Sequence, residues 1–220
     1  MKTSTLKNFL TRGALITALA VLAGCASKSY DKGAATANAL GASSEAAAKA
    51  STQIYDVLGT LNMLATTSQG DLRGRYDAFV KAAGKLDKAT AKLDAKVIAL
   101  QSATTNYLAD WTNRVATIQN ADLRQQSLQR NGVVANELND VTTSYQGVKS
   151  QLQAFSTNVK DIQTYLGTDL TAAGLASVKD TVNKAKLEVL PLRDSIKQLQ
   201  KNLTELSTAL SPVLPAPAGQ

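Results

Sequence analysis

The sequence predicts an all-α protein, an elongated antiparallel bundle or coiled coil of about four long helices. Strand formers are sparse among its 220 residues, and Ala, Leu, Lys, Gln, Asp, Thr and Ser dominate. Over long stretches, apolar residues recur in alternating steps of three and four, the spacing of a helix that keeps one seam towards a partner. The chain has no His and a single Cys, Cys25. Disulfides and Cys/His metal sites are thereby excluded, as are Ser-His-Asp triads and Cys-His dyads, so stability must come from packing.

The first twelve residues carry Lys2, Lys7 and Arg12 and no acid, and an apolar run over 13–23 comes next. That run is about half the ~20 residues a spanning helix needs, so residues 1–24 read as an export signal. Leu22, Ala23, Gly24 and Cys25 resemble a bacterial lipobox. The resemblance implies cleavage before Cys25, diacylglycerol on its sulfur and an acyl chain on its new amine. Such chains, at ~0.8 kcal/mol per buried methylene, hold a soluble domain on a bilayer. An ordinary signal peptide with an incidental cysteine is the plain alternative. Residue 26 is Ala rather than Asp, which by resemblance to the sorting pattern of enteric bacteria favours the periplasmic face of the outer membrane. No cofactor is expected beyond this covalent lipid.

Residues 25–44 contain almost no large apolar side chain and read as a flexible tether, helical only towards its end. The bundle is expected over 45–211. Its first helix shows through Ile54, Val57, Leu58, Leu61 and Leu64, with Gly70 placed as a left-handed cap and Asp71 as the next N-cap. The second helix carries the clearest seam, from Leu72, Tyr76 and Phe79 through Leu86, Leu93, Val97 and Leu100 to Tyr107 and Trp111. The third runs from Val134 through Tyr145, Leu152, Phe155 and Ile162 to Leu166, with Gly167 expected to end it. Thr171 is the expected cap of a fourth, which runs through Val182, Leu192, Ile196 and Leu203 to Leu210. Pro191 lies inside that run without breaking its phase and is expected to kink it. Residues 212–220, with Pro212, Pro215 and Pro217, are expected to form a short proline-rich tail, disordered or extended. Between the second and third helices the seam slips by one or two residues. Asn120 and Asn131-Gly132 are the candidate turns, and a turn near Asn120 gives four helices of similar length. A single helix of about ninety residues with a stutter is the alternative.

The formal net charge is +7; without Lys2, Lys7 and Arg12 it is about +4, weak ground for nucleic-acid binding. Lys81, Lys85, Lys88, Lys92 and Lys96 form one basic stripe on the second helix. It could meet anionic headgroups or an acidic envelope polymer, but a solvated face balanced by Asp77, Asp87 and Asp94 is the ordinary explanation. Ala82-Ala83-Gly84-Lys85 superficially matches the end of a phosphate loop. Phe79 stands where the first Gly is needed and Leu86 where a hydroxyl should hold magnesium, so nucleotide binding is rejected. Tyr107 and Trp111 read as a buried aromatic core pair. Arg114, Arg124 and Arg130 surround the polar junction, where they could clasp Asp110, Asp122 or a ligand, although an exposed bundle end accounts for them equally.

Around Tyr107-Leu108-Ala109-Asp110-Trp111, Ile118, Asn120, Leu123-Arg124, Ser127 and Arg130, and again at Asp169-Leu170-Thr171 and Gly174, the chain resembles a group of bacterial envelope proteins, the domain-of-unknown-function 2959 family. The resemblance covers about residues 45–210. It implies a long helical protein, often behind a lipoprotein signal, and supplies no activity or site residues. The expectation is therefore a non-enzymatic, membrane-anchored periplasmic lipoprotein acting as scaffold, spacer or adaptor. Its partners would be the membrane, other envelope proteins or a second copy, with no nucleic acid and no small-molecule substrate. A membrane-active protein resembling an α-helical pore former is the other reading; it calls for a long apolar hairpin, which the chain lacks after residue 25.

Overall fold

The computed structural model describes residues 10–66 and 70–211, with side chains from residue 31 onward. The expected signal residues 1–9 and the tail 212–220 lie outside the described residues. The elements are α1 (Leu10–Ala65), α2 (Leu72–Val115), α3 (Ala121–Thr168), the short α4 (Ala172–Ser177) and α5 (Lys179–Leu210). The described residues contain no strand. Successive long helices run antiparallel, and α1–α2, α2–α3, α3–α5 and α5–α1 pack in a ring around one core. At 1.5 Å per residue the 44 residues of α2 span ~66 Å, so the molecule is a rod.

The core is the seam read from the sequence. Phe79, Leu86, Leu93, Val97 and Leu100 of α2 are buried, as are Val141, Val148, Phe155 and Ile162 of α3 and Val182, Leu192, Ile196 and Leu203 of α5. Two hydrophobic surfaces this long, each narrow, can only be covered by each other, which is the reason for the antiparallel return at every turn. Polar contacts cross the α3–α5 seam: Asn158 Nδ2 donates to Glu188 Oε2 (2.6 Å) and Asn202 Nδ2 to the Asp140 carbonyl (2.9 Å). Each can be satisfied in only one register, so they fix how far the two helices slide.

The turn between α2 and α3 falls at Asn120, whose side chain accepts from Leu123 N at 3.0 Å. Asn131 and Gly132 lie inside α3. At the opposite end Gly70 adopts φ +125° and Asp71 caps α2 by accepting from Gly74 N at 2.7 Å. Thr171 caps α4 as expected, accepting from Gly174 N at 3.1 Å. The expected fourth helix is therefore α4 and α5 together, interrupted only at Val178. Pro191 sits in α5; its side chain and that of Leu187 face solvent, where water can serve the carbonyl that loses its donor.

Two expectations are corrected. Residues 25–44 are not a flexible tether: α1 continues through them, and Thr36, Leu40 and Ser43 are buried against α2. Their seam is made of Ala, Thr, Ser and one Leu, side chains that carry little hydrophobic signal but let two helices approach closely. Ser43 Oγ accordingly reaches the Lys96 carbonyl across the interface at 3.0 Å. Gly167 does not end α3 by a left-handed residue, because Thr168 is still helical and Asp169 is the C-cap. Its lack of a Cβ matters for another reason. A Cβ there would come within 2.9 Å of the Tyr76 hydroxyl, which donates to the Gln163 carbonyl at 2.8 Å.

Candidate functional site

The end of the rod that carries the α2–α3 turn gathers a set of polar side chains beside a groove. Asp110 accepts from Lys32 Nζ and from Arg114 Nε, each at 2.9 Å, so α1 is tied to α2 at this level. Trp111 Nε1 donates to Ser127 Oγ at 2.8 Å, and Arg124 reaches the Ile118 carbonyl at 3.1 Å across the turn. The Arg130 guanidinium stands 5.8 Å from the Trp111 ring centroid and donates to the Ser211 carbonyl at 3.2 Å. The arginines at the junction thus serve Asp110, a turn carbonyl, an aromatic face and the end of α5; Asp122 is not among their partners.

Tyr107 and Trp111 do form a pair, with centroids 5.6 Å apart and planes tilted by 54°. They are half-buried rather than in the core. The cause is the length of α5. Its last residue is Leu210, and Ser211 lies level with Arg130, about ten residues short of the start of α3. At the helical rise, α5 stops ~15 Å before the α2–α3 turn. Leu123 and Leu128, between the turn and Arg130 on α3, remain 56% and 45% exposed. The gap opens into a groove of roughly 900 Å³ between α1 and the end of α5. Gly33, Ala37 and Gly41 of α1 form one wall, Leu40 and Leu203 the floor, and Tyr107 and Arg130 close it.

The basic stripe occupies the α1–α2 side of the rod. Lys81, Lys85, Lys88 and Lys92 are exposed and Lys96 is half-buried. Of the acids expected to balance them, Asp87 is exposed beside Lys88 and closes no ion pair among the described residues, while the other two are used elsewhere. Asp77 pairs with Arg73 at 3.2 Å, and Asp94 accepts from Lys149 at 2.9 Å and from the Tyr145 hydroxyl. Only Lys92 meets a carboxylate, Glu45 at 3.8 Å, so Lys81, Lys85 and Lys88 carry no ion pair among the described residues. Lys81 and Lys85 flank a shallow groove with exposed Tyr55 and Met63 on its α1 wall. The Asp94 carboxyl is held below its usual range, chiefly by the Tyr145 hydroxyl and then by Lys149. Burial, and after it Asp94, pushes the Tyr145 phenol up.

Leu22, Ala23, Gly24 and Cys25 belong to the backbone of α1, and their side chains lie outside the described ones. Cys25 is seven residues before Lys32, the partner of Asp110, so along the helix axis it falls ~10 Å further towards the turn end. Among the described residues no group of three or more His, Cys, Asp or Glu side chains could hold a metal ion. No described helix is long and apolar enough to cross a membrane.

A sequence model described as "Protein of unknown function (DUF2959)" matches residues 28–212. No curated protein matches the chain, and no solved structure does. The residues that carried the resemblance prove to be structural fastenings. Trp111, Ser127, Arg130 and Asn120 build the turn end, and Gly174 lacks a Cβ that would otherwise lie 2.1 Å from the Asp169 carbonyl oxygen.

Proposed function

The chain belongs to the DUF2959 family, whose description assigns no activity, and on that premise we propose that it is a lipid-anchored periplasmic scaffold or adaptor of the bacterial envelope. One observation carries this reading. One continuous hydrophobic core runs along the rod, while a continuous α1 leads from it to Cys25 at one end. Such a molecule works by placement. Lipid on Cys25 fixes the turn end against the outer membrane, and the sides of the rod are presented to envelope partners at a set distance. No step of chemistry is assigned to it.

The basic face deepens the reading. Lys81, Lys85 and Lys88, which make no ion pair among the described residues, are the surface best suited to an anionic envelope polymer or headgroup. Radiolabelled palmitate should enter the wild-type protein in its native bacterium, and Cys25→Ser should abolish the label and shift the protein from the membrane to the soluble fraction. Membrane retention of Cys25→Ser at wild-type level would remove the anchor from the proposal.

A further inference from the structure

The groove at the turn end has an occupant available within the chain itself. Ser211 lines it, already extended at φ −68° and ψ 137°, and the sequence beyond it begins Pro212-Val213-Leu214-Pro215-Ala216-Pro217-Ala218. A residue before proline is pushed into this region of backbone space, so the chain leaves α5 as an extended strand rather than as further helix. Three features of the groove suit such a segment. Its α1 wall is built of Ala37 and Gly41, with open space at Gly41 for a backbone to lie against and the Tyr107 ring against Gly33 at its end. Its floor and side offer Leu40, Leu203 and Tyr107, apolar and aromatic surface of the kind on which proline-rich extended segments dock. Arg130, the charged residue among the described lining, is already engaged by the Ser211 carbonyl and the Trp111 face, and residues 212–220 carry no charged side chain.

Reach agrees as well. At ~3.1 Å per residue, the nine residues 212–220 cover ~28 Å. The groove extends from Ser44 to Gly33, eleven residues of α1 or ~17 Å at the helical rise.

We propose that residues 212–220 dock in the groove between α1 and the end of α5, with Val213 or Leu214 against Tyr107. Because α5 itself lines the groove from Leu203 to Ser211, and Ser211 sits at its Gly33 end, the segment turns back at Pro212 to lie along it. Docked, it covers the open stretch of the bundle wall, and any other proline-rich peptide must displace it to bind there. This is independent of whether Cys25 is acylated.

Nuclear Overhauser contacts in the full chain, with Val and Leu methyls labelled, test the proposal. Contacts from the Val213 or Leu214 methyls to the Tyr107 ring are expected, and Ala37→Trp, which fills the groove, should abolish them while helical content is unchanged. A synthetic peptide of residues 212–220 added to a chain stopped after Ser211 should perturb the Tyr107 and Ala37 resonances at saturation. The proposal is overturned if the full chain shows no such contacts, or if they survive Ala37→Trp. It is equally overturned if the contacts arise between chains and vanish on dilution, since the occupant would then be a second copy.

Discussion

At the scale of single residues, the Asp94–Tyr145–Lys149 cluster makes the stability of the α2–α3 contact pH-dependent on both sides. Asp94 has a folded value below its unfolded 3.8. Its contribution is complete above that value and is lost as the pH falls through the folded one. Tyr145 has a folded value above its unfolded 10.0. Its contribution is complete below pH 10.0 and is lost as the pH rises further. Urea unfolding across both windows should show wild-type stability declining at each extreme. Asp94→Asn should flatten the acid limb, and Tyr145→Phe both limbs, since it removes the donor to Asp94 along with the phenol. Parallel acid limbs for wild type and Asp94→Asn would refute this. Glycines make a second residue-scale contrast. Gly84 is exposed with open space where a Cβ would go, so Gly84→Ala should stabilise α2 by ~0.5–1 kcal/mol. In Gly167→Ala that gain should be cancelled by loss of the Tyr76 hydrogen bond, worth ~1 kcal/mol, and in a Tyr76→Phe background, where the bond is already gone, Gly167→Ala should recover it. Thermal melts of the single variants against wild type, and of the double variant against Tyr76→Phe, decide it.

At the scale of elements, the seam determines which side chains matter. Phe155 is fully buried in α3, and Tyr165 on the same helix is 44% exposed. Phe155→Ala should cost ~3–5 kcal/mol by lost transfer energy and cavity, and Tyr165→Ala no more than ~0.5 kcal/mol. Equal losses in chemical denaturation would contradict the seam. The same contrast explains how much of the fold is legible in the sequence. The seams of α2, α3 and α5 are legible because Phe, Leu, Ile and Val recur at helical spacing over many turns. Asp71 and Thr171 are legible as caps, and Asn120 as a turn, because a short polar side chain stands where the repeat slips or stops. Residues 31–44 of α1 mislead because Thr36 and Ser43 bury themselves by being small. The groove is not legible at all. It depends on α5 stopping at Leu210 while α2 and α3 run on, a comparison of levels that only the paired helices reveal.

At the scale of the whole molecule, the rod separates its surfaces. The lysine face lies along the α1–α2 side, and the groove lies where α1 meets the end of α5. If the unpaired lysines meet a polyanion, co-sedimentation with envelope fragments should weaken steeply between low and physiological salt. A triple variant, Lys81→Glu, Lys85→Glu and Lys88→Glu, should abolish it while leaving the circular dichroism spectrum unchanged. Binding insensitive to both salt and the triple variant would return these residues to the role of a wetted helix face.

The continuity of α1 has a mechanical consequence. A slack leash of twenty residues would let a tethered body sweep a hemisphere, so that no part of it kept an altitude above the surface it was fastened to. A handle that is the same helix as the body behaves as a mast. If Cys25 is held at the bilayer, the loop at Gly70 is lifted to a stand-off of the order of 65 Å, the length of α2 at its helical rise, and partners there would be gauged by height as well as by chemistry.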